Sequence, residues 1–406
     1  MFLKPSHVLV SSFCFLAISP AESQIKIQPG KWDASLQLTA DTKLPFRMEV
    51  QKNKKNYVFS VHNAEERIVL NQPVVKDDSI SIDFPNFNSS LRFKMENKQL
   101  IKGYWTNFNK GNHYKIPFSA SLNNVQNTGT LKENHDFTGR WKTTFDPNTK
   151  DAYMAVGVFN TVGEKIYGTF LTETGDYRFL EGKVEGKAFT LSCFDGSHAF
   201  HFTGKLENNQ IDGTFYSGKH GKGGWIAELD PEFQLTHPDS LTYLVKTDPF
   251  SFKLKDLEGK DFIFPNPQFE KKVTIIQIMG TWCPNCMDET EYFKDLYQKY
   301  HEKGLEIISV GYETPNEFAG QVEKIKLLQK RHDLKFTFLV GGMANKGLAS
   351  EQFSMLNKII SYPTAIIIGR DGEVKKIHTG FNGPGTGKIY LDYIKETNAF
   401  IEELLK

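Results

Sequence analysis

A chain of 406 residues is long enough for two or three domains with sizeable cores, and its 49 Lys+Arg against 48 Asp+Glu leave no surplus of either sign. That balance gives no electrostatic ground for a nucleic-acid partner or for binding to an anionic membrane surface. Four cysteines in so long a chain exclude a disulfide-stapled scaffold.

Residues 1–23 are expected to form a signal peptide. Lys4 gives a weakly basic start, His7 to Ile18 an apolar stretch, and Ser19-Pro20-Ala21 or Ala21-Glu22-Ser23 a small-residue cleavage site. The stretch is too short for a membrane span, and bulky Phe13 before Cys14 disfavours lipid attachment, which wants a small residue there. An uncleaved anchor is the alternative, opposed by Pro20 and the short apolar run. The expected location is periplasmic or secreted, with Cys193, Cys283 and Cys286 left in the mature chain.

Residues 24–230 change to short alternating runs bounded by Gly, Asn and Asp, the pattern of antiparallel strands and turns. Tyr57-Val58-Phe59-Ser60-Val61 and Gln210-Ile211-Asp212-Gly213-Thr214-Phe215 are examples. The region also echoes itself. Gly30-Lys31-Trp32 returns as Gly139-Arg140-Trp141, the segment from Phe87 to Phe93 as Phe194 to Phe200, and the segment around Gly103 as that around Gly213. The offsets are 109, 107 and 110, nearly constant and in one order, as a diverged duplication leaves them. The expected product is an antiparallel all-β barrel or tandem barrel module of the lipocalin-like class, used for docking or spacing rather than for a ligand. His198 and His201 are three apart, which in a strand puts them on opposite faces, and no standard zinc spacing surrounds them. Cys193 is expected to be a buried small hydrophobe within its strand. Asn88-Ser89-Ser90 matches a glycosylation acceptor, of consequence only in a eukaryotic secretory host.

Residues 231–249, with Pro231, Pro238 and Pro249, form an aperiodic linker. From 250 to 406 strands and helices alternate, which implies a central sheet with covering helices. A hairpin at 250–264 is followed by strand 273–279, helix 285–303, strand 305–312, helix 316–331 and strand 336–340. A short helix near 349–357, strands 365–369 and 374–379, and a closing helix 389–405 complete the pattern.

The chemistry is concentrated in Gly280-Thr281-Trp282-Cys283-Pro284-Asn285-Cys286, between an apolar strand and an amphipathic helix. Two cysteines with two residues between them at such a corner can cycle between dithiol and disulfide. Cys283, at the helix N-terminus, meets unpaired N–H groups that favour a thiolate and is the expected nucleophile. Cys286, one turn inside, is the expected resolving thiol. Trp282 is expected to flank the pair as a packing surface. Asp288 and Glu291 are expected on a solvated helix face, and no second pair of ligands supports a zinc reading.

Trp282-Cys283-Pro284-Asn285-Cys286 after a buried strand, with Ser361-Tyr362-Pro363-Thr364 before a late one, resembles the thioredoxin superfamily, and in detail the secreted TlpA-like thiol:disulfide oxidoreductases. The resemblance covers residues 250–406 and implies an α/β thioredoxin-like domain. It also implies a cis Pro363 facing the dithiol, and Tyr362 and Thr364 offering backbone to an extended substrate. Glu289, three residues beyond Cys286, matches an acid that the family uses in proton transfer. Thr281 is only two residues before Cys283, unlike the threonine of the peroxide-reducing cousins, so peroxidase chemistry ranks second.

The function implied is extracytoplasmic reduction of disulfides in client proteins, with no cofactor and with a membrane thiol protein as electron donor. Pro284-Asn285 does not fix the direction of transfer. The rival is a partner-binding β module with a redox domain that only regulates or anchors it.

Overall fold

The computed structural model describes residues 27–54, 56–123 and 133–406, so the expected signal peptide lies outside the described residues. Two nine-stranded antiparallel sheets come first and a seven-stranded mixed sheet last, the tandem β module and α/β domain that the sequence pattern implies.

The first sheet contains β1 (Gly30–Gln37), β2 (Lys43–Asn53), β3 (Asn56–Asn63), β4 (Glu66–Val69), β5 (Val74–Lys76), β6 (Ser79–Asp83), β7 (Ser89–Asn97), β8 (Leu100–Asn107) and β9 (Lys115–Leu122). The second contains β10 (Gly139–Phe145), β11 (Tyr153–Val162), β12 (Lys165–Thr172), β13 (Gly175–Asp176), β14 (Leu180–Glu185), β15 (Ala188–Phe194), β16 (Ala199–Glu207), β17 (Gln210–Ser217) and β18 (Gly221–Leu229). The order β4-β3-β2-β1-β9-β8-β7-β6-β5 recurs strand for strand in the second sheet as β13-β12-β11-β10-β18-β17-β16-β15-β14. Registers agree as well: Gly30 faces Val50, which faces Phe59, and Gly139 faces Phe159, which faces Gly168. Gly30 and Gly139 even share φ values of 143° and 142°, a region that favours glycine. One echo is out of register. Ser89 and Ala199 begin matching strands, an offset of 110 (199 minus 89), so Phe84 rather than Phe87 is the counterpart of Phe194.

The second sheet closes into a barrel because β12 pairs with β14 through Lys165–Gly168 and with β13 through Leu171 and Thr172. Gly168, at the switch, lies where a Cβ would collide with the Val158 carbonyl. The first sheet has Phe59 at that place and stays open between β4 and β5. Its opening is filled from the barrel. Phe194 at the end of β15 belongs to the first sheet's core, with ring centroids 4.7 Å from Phe46, 5.2 Å from Trp105 and 5.3 Å from Phe84. Asn63 accepts from Phe194 N at 3.0 Å and donates to its carbonyl at 3.1 Å. The barrel interior is filled by Phe145, Phe170, Phe202 and Trp225, and Cys193 is fully buried among these strands, as expected for a small hydrophobe.

The third sheet runs β20-β19-β23-β22-β21-β24-β25, with ranges Phe252–Asp256 for β19, Asp261–Phe264 for β20, Val273–Met279 for β21, Leu305–Glu313 for β22, Thr337–Met343 for β23, Thr364–Ile368 for β24 and Val374–Thr379 for β25. β21 and β22 are parallel and every residue in both is buried. Because alternate side chains point to opposite faces, this requires cover on both sides. A short α1 (Pro238–Leu241) precedes the sheet, and α2 (Pro284–Tyr300), α3 (Phe318–His332), α4 (Lys346–Gln352) and α5 (Lys388–Leu404) follow. The helix expected near 349–357 starts earlier, because the Asn345 side chain caps it by accepting from Leu348 N. The linker is tied down: Asp239 pairs with His378 and Lys376, and Leu244 bridges to Leu356.

Candidate active site

β21 delivers the chain to Gly280, and the loop that follows is held by the end of the neighbouring β22. Thr281 donates its backbone N–H at 2.9 Å and its hydroxyl at 2.6 Å to the Glu313 carboxylate, and Trp282 Nε1 donates to the Tyr312 carbonyl at 2.9 Å. The apolar run of β22 gave no warning that its last residue would anchor the dithiol loop. The only sequence signal is an acid closing an otherwise buried strand. Burial raises the Glu313 carboxyl to about 7, with the Thr281 bonds opposing.

Cys283 caps α2, and Pro284 occupies the first helical position, where a missing N–H costs nothing. The Cys286 N–H points at Cys283 Sγ from 3.2 Å, the helix-terminus donor expected to favour a thiolate. The two cysteines are closed as a disulfide with Cα atoms 5.2 Å apart. Cys283 is 7% exposed and Cys286 0%, so whatever reaches the pair reaches Cys283 first.

Opposite the sulfurs, the Tyr362–Pro363 bond is cis, and the Tyr362 carbonyl oxygen lies 3.5 Å from Cys283 Sγ. The Tyr362 ring stacks on Tyr312 and meets Trp282 edge-on at 6.0 Å. Thr364 is placed differently from expectation. It is fully buried, paired within β24 to Ile278 and Thr379, with its hydroxyl donated back to the Ser361 carbonyl. Of the two residues flanking Pro363, only Tyr362 reaches the cleft.

Glu289 is fully buried one turn beyond Cys286. Gln277 Nε2 donates to its Oε2 at 2.9 Å, and its Oε1 has no hydrogen-bond partner among the described residues. Burial pushes its carboxyl up to about 8, the Gln277 bond opposing. Of the two acids expected on a solvated face, Glu291 is there, with its side chain 47% exposed, and Asp288 is not. Glu291 pairs with His332, and Asp288 forms an ion pair with Arg178 of the β module, a long-range partner that helical periodicity does not reveal.

The β module lies directly on the dithiol segment. Asn285 Nδ2 donates to the Asp176 carbonyl at 3.3 Å and to its Oδ1 at 3.2 Å, and Asp176 Oδ1 also accepts from Gly383 N at 2.9 Å. Ser361 Oγ donates to the Thr174 carbonyl at 3.0 Å, and Ser197 Oγ to the Trp282 carbonyl at 3.3 Å. Arg178, 7% exposed in its side chain and at φ 65°, joins the first sheet, the barrel and helix α2 by reaching Glu66 at 2.7 Å, Asp195 at 3.4 Å and Asp288. Between module and dithiol a cleft of about 720 Å³ remains, with Cys283 in its floor.

A strand–CxxC–helix corner faced by a cis-proline loop, on a sheet of this order, defines a dithiol enzyme of the thioredoxin superfamily, a thiol:disulfide oxidoreductase. A family model described as AhpC/TSA family matches residues 246–377. Thiol-disulfide oxidoreductase ResA of Bacillus thuringiensis subsp. konkukian is 32% identical over 148 residues, which is 36% of this chain and 74% of that protein. ResA of Geobacillus thermodenitrificans is 31% identical over 146 residues, again 36% and 74%. A solved thioredoxin-family thiol:disulfide interchange protein from Chlorobium tepidum TLS aligns with 40% of this chain and 100% of its own, at 20% identity and a TM-score of 0.29. The chain belongs to the ResA-type, TlpA-like thiol-disulfide oxidoreductases.

Proposed function

We propose that this enzyme reduces disulfides of client proteins outside the cytoplasm by cycling Cys283 and Cys286 between dithiol and disulfide. The observation that carries the reading is the Cys283 sulfur, held at the N-terminus of α2 under the Cys286 N–H and lining an open cleft. In the reduced enzyme the Cys283 thiolate attacks one sulfur of the client disulfide. A Cys283–client bond forms and the other client sulfur leaves as a thiolate that takes up a proton. Cys286, deprotonated in turn, attacks Cys283 Sγ and expels the second client thiolate. Two electrons have passed to the client, and a membrane dithiol protein restores the enzyme by the reverse exchange.

In this scheme Trp282 and Tyr362 border the substrate path, Pro363 aims the Tyr362 backbone at the sulfurs, and Thr364 supports that loop from within the sheet. The scheme also takes residues 1–23 as a signal peptide, 24–230 as a duplicated β module, 231–249 as a linker and 250–406 as the redox domain. Among the described residues no helix is long and apolar enough to cross a membrane. A β module that merely captures a ligand gains little support from a barrel interior filled with aromatic rings.

Glu289 is assigned the proton of Cys286. Its carboxyl is raised from the ordinary 4.5 to about 8, so it is largely neutral at pH 7 and becomes a base as pH approaches 8. Glu289→Gln is expected to slow the resolving step at least about tenfold at pH 8 and to remove the titration near that pH, as rapid-mixing kinetics across pH 6–9 would show. The linked effect on stability has a definite sign. A raised acid stabilises the fold fully below pH 4.5, and this contribution is lost as pH rises through about 8. Stability of the glutamine variant should lack that decline, and an unchanged pH profile in both measurements would remove Glu289 from the mechanism.

The direction of transfer is tested by the reduction potential of the Cys283–Cys286 couple in the full chain. A reductase should equilibrate near the roughly −270 mV of thioredoxin, and a value near about −120 mV, typical of a strong oxidant, would overturn the reading.

A further inference from the structure

Cys283 faces a wall that the redox domain does not supply. Across the cleft stand Tyr153, Met154, Tyr177 and Phe200, all from the barrel, and Trp282 and Tyr362 complete an apolar lining around the sulfur. This wall is fastened to the segment it covers. The carbonyls of Thr174 and Asp176 and the Ser197 hydroxyl hold Ser361, Asn285 and Trp282, and the Asp176 carboxylate holds Gly383 N. Space around these fastenings is tight, since a Cβ on Gly383 would come 2.6 Å from Asp288 Oδ2 and one on Gly380 would come 2.8 Å from the Thr174 carbonyl carbon. The barrel is therefore a fixed part of the site.

We infer that the β module makes this enzyme selective for extended, unfolded peptide segments that carry an apolar side chain beside the cysteine. Even at the low end typical of transient redox encounters, up to roughly 600 Å² per partner, a folded protein presenting a surface disulfide needs an open face around the sulfur, and the barrel occupies that face above Cys283. A cleft of about 720 Å³ falls in the range that holds a small ligand or a few residues of a single strand. The Tyr362 carbonyl beside Cys283 Sγ offers backbone pairing to such a strand. Side-chain preference follows from the wall. Its rings and the Met154 thioether attract an apolar neighbour, whereas Lys110 among the lining is met by Glu173 and Asp176, which gives no single-sign preference for a charged one.

The inference rests on the reductase reading, and its test keeps the two apart. Full-length enzyme with dithiothreitol as donor is given four substrates: a disulfide-linked peptide with Phe beside its cysteine, the same peptide with Glu there, glutathione disulfide, and a folded protein whose exposed disulfide dithiothreitol alone reduces readily. The Phe peptide is expected to exceed the Glu peptide and glutathione disulfide roughly tenfold or more in kcat/KM, and the folded protein to react at the uncatalysed rate. Met154→Gln, a neutral polar change at a half-buried position, should abolish the preference by lowering kcat/KM for the Phe peptide roughly tenfold. The potential of the Cys283–Cys286 couple, which reports an intact dithiol site, should not move. Equal rates on folded and extended substrates, equal rates on the two peptides, or a preference for glutathione disulfide would each overturn the inference and leave the reductase reading standing. Turnover of none of the four would overturn both.

Discussion

Cys283→Ser is expected to lose disulfide turnover to the background rate, a fall of roughly 10³-fold or more, whereas Cys286→Ser should complete one half of the exchange and stop. The difference comes from geometry. Cys283 is the sulfur that lines the cleft and receives the Cys286 N–H, while Cys286 is wholly enclosed and reaches only Cys283. Without Cys283 no bond to a client forms. Without Cys286 the bond forms and nothing releases it, so product should appear as a burst of one equivalent of thiol with no steady state. Cys193 cannot substitute, because burial pushes its thiol well above the ordinary range and leaves no exposed surface. Rapid-mixing assays that count released thiol per enzyme separate the two variants.

Arg178→Ala is expected to loosen the β module from the redox domain. The guanidinium lies between Glu66, Asp195 and Asp288, each mostly buried, with the Asp176 charge close enough to be felt. Removing one partner of a buried ion pair costs about 3–5 kcal/mol, because the carboxylates left behind keep their desolvation without compensation. Even in the intact protein, burial raises Asp288 to about 7, Arg178 opposing and the charges of Asp176 and Glu66 adding to the rise. The sign of the pH effect follows. With Arg178 gone the carboxylates favour protonation still more, so the variant loses most at pH 7.5 to 8 and recovers toward the intact protein as pH falls toward 5. Thermal unfolding is expected to split into separate transitions for module and redox domain, and Cys283 of the reduced variant to be alkylated faster. A single transition at the original temperature, with unchanged alkylation, would mean that Arg178 does not hold the interface.

What the sequence disclosed and what it concealed divide along a physical line. Cys283, Cys286 and the strand–helix corner were legible because a CxxC between an apolar run and an amphipathic helix is a local pattern. The tandem β module was legible through Gly30 and Gly139, whose unusual φ both strands need. Contacts between distant segments left no such trace. Arg178 is a single arginine in a loop, and its partners lie far apart in the sequence, Glu66 in β4, Asp195 just past β15 and Asp288 in α2. Glu313 ends a strand and shows its purpose only when Thr281 folds beside it. Helical periodicity places Asp288 toward solvent because it describes one helix and knows nothing of a barrel packed against it. The same blindness hid the placement of Thr174, Asp176 and Ser197 over the dithiol, so the sequence disclosed the chemistry of the site but not its outer wall.

The most direct test of the central claim is to incubate the Cys286→Ser variant with a disulfide-bearing peptide, digest it under non-reducing acid conditions and map the adduct by mass spectrometry. The account predicts one peptide per chain, joined to Cys283 and released by dithiothreitol. A peptide joined to Cys193, or steady turnover with no adduct at Cys283, would contradict it.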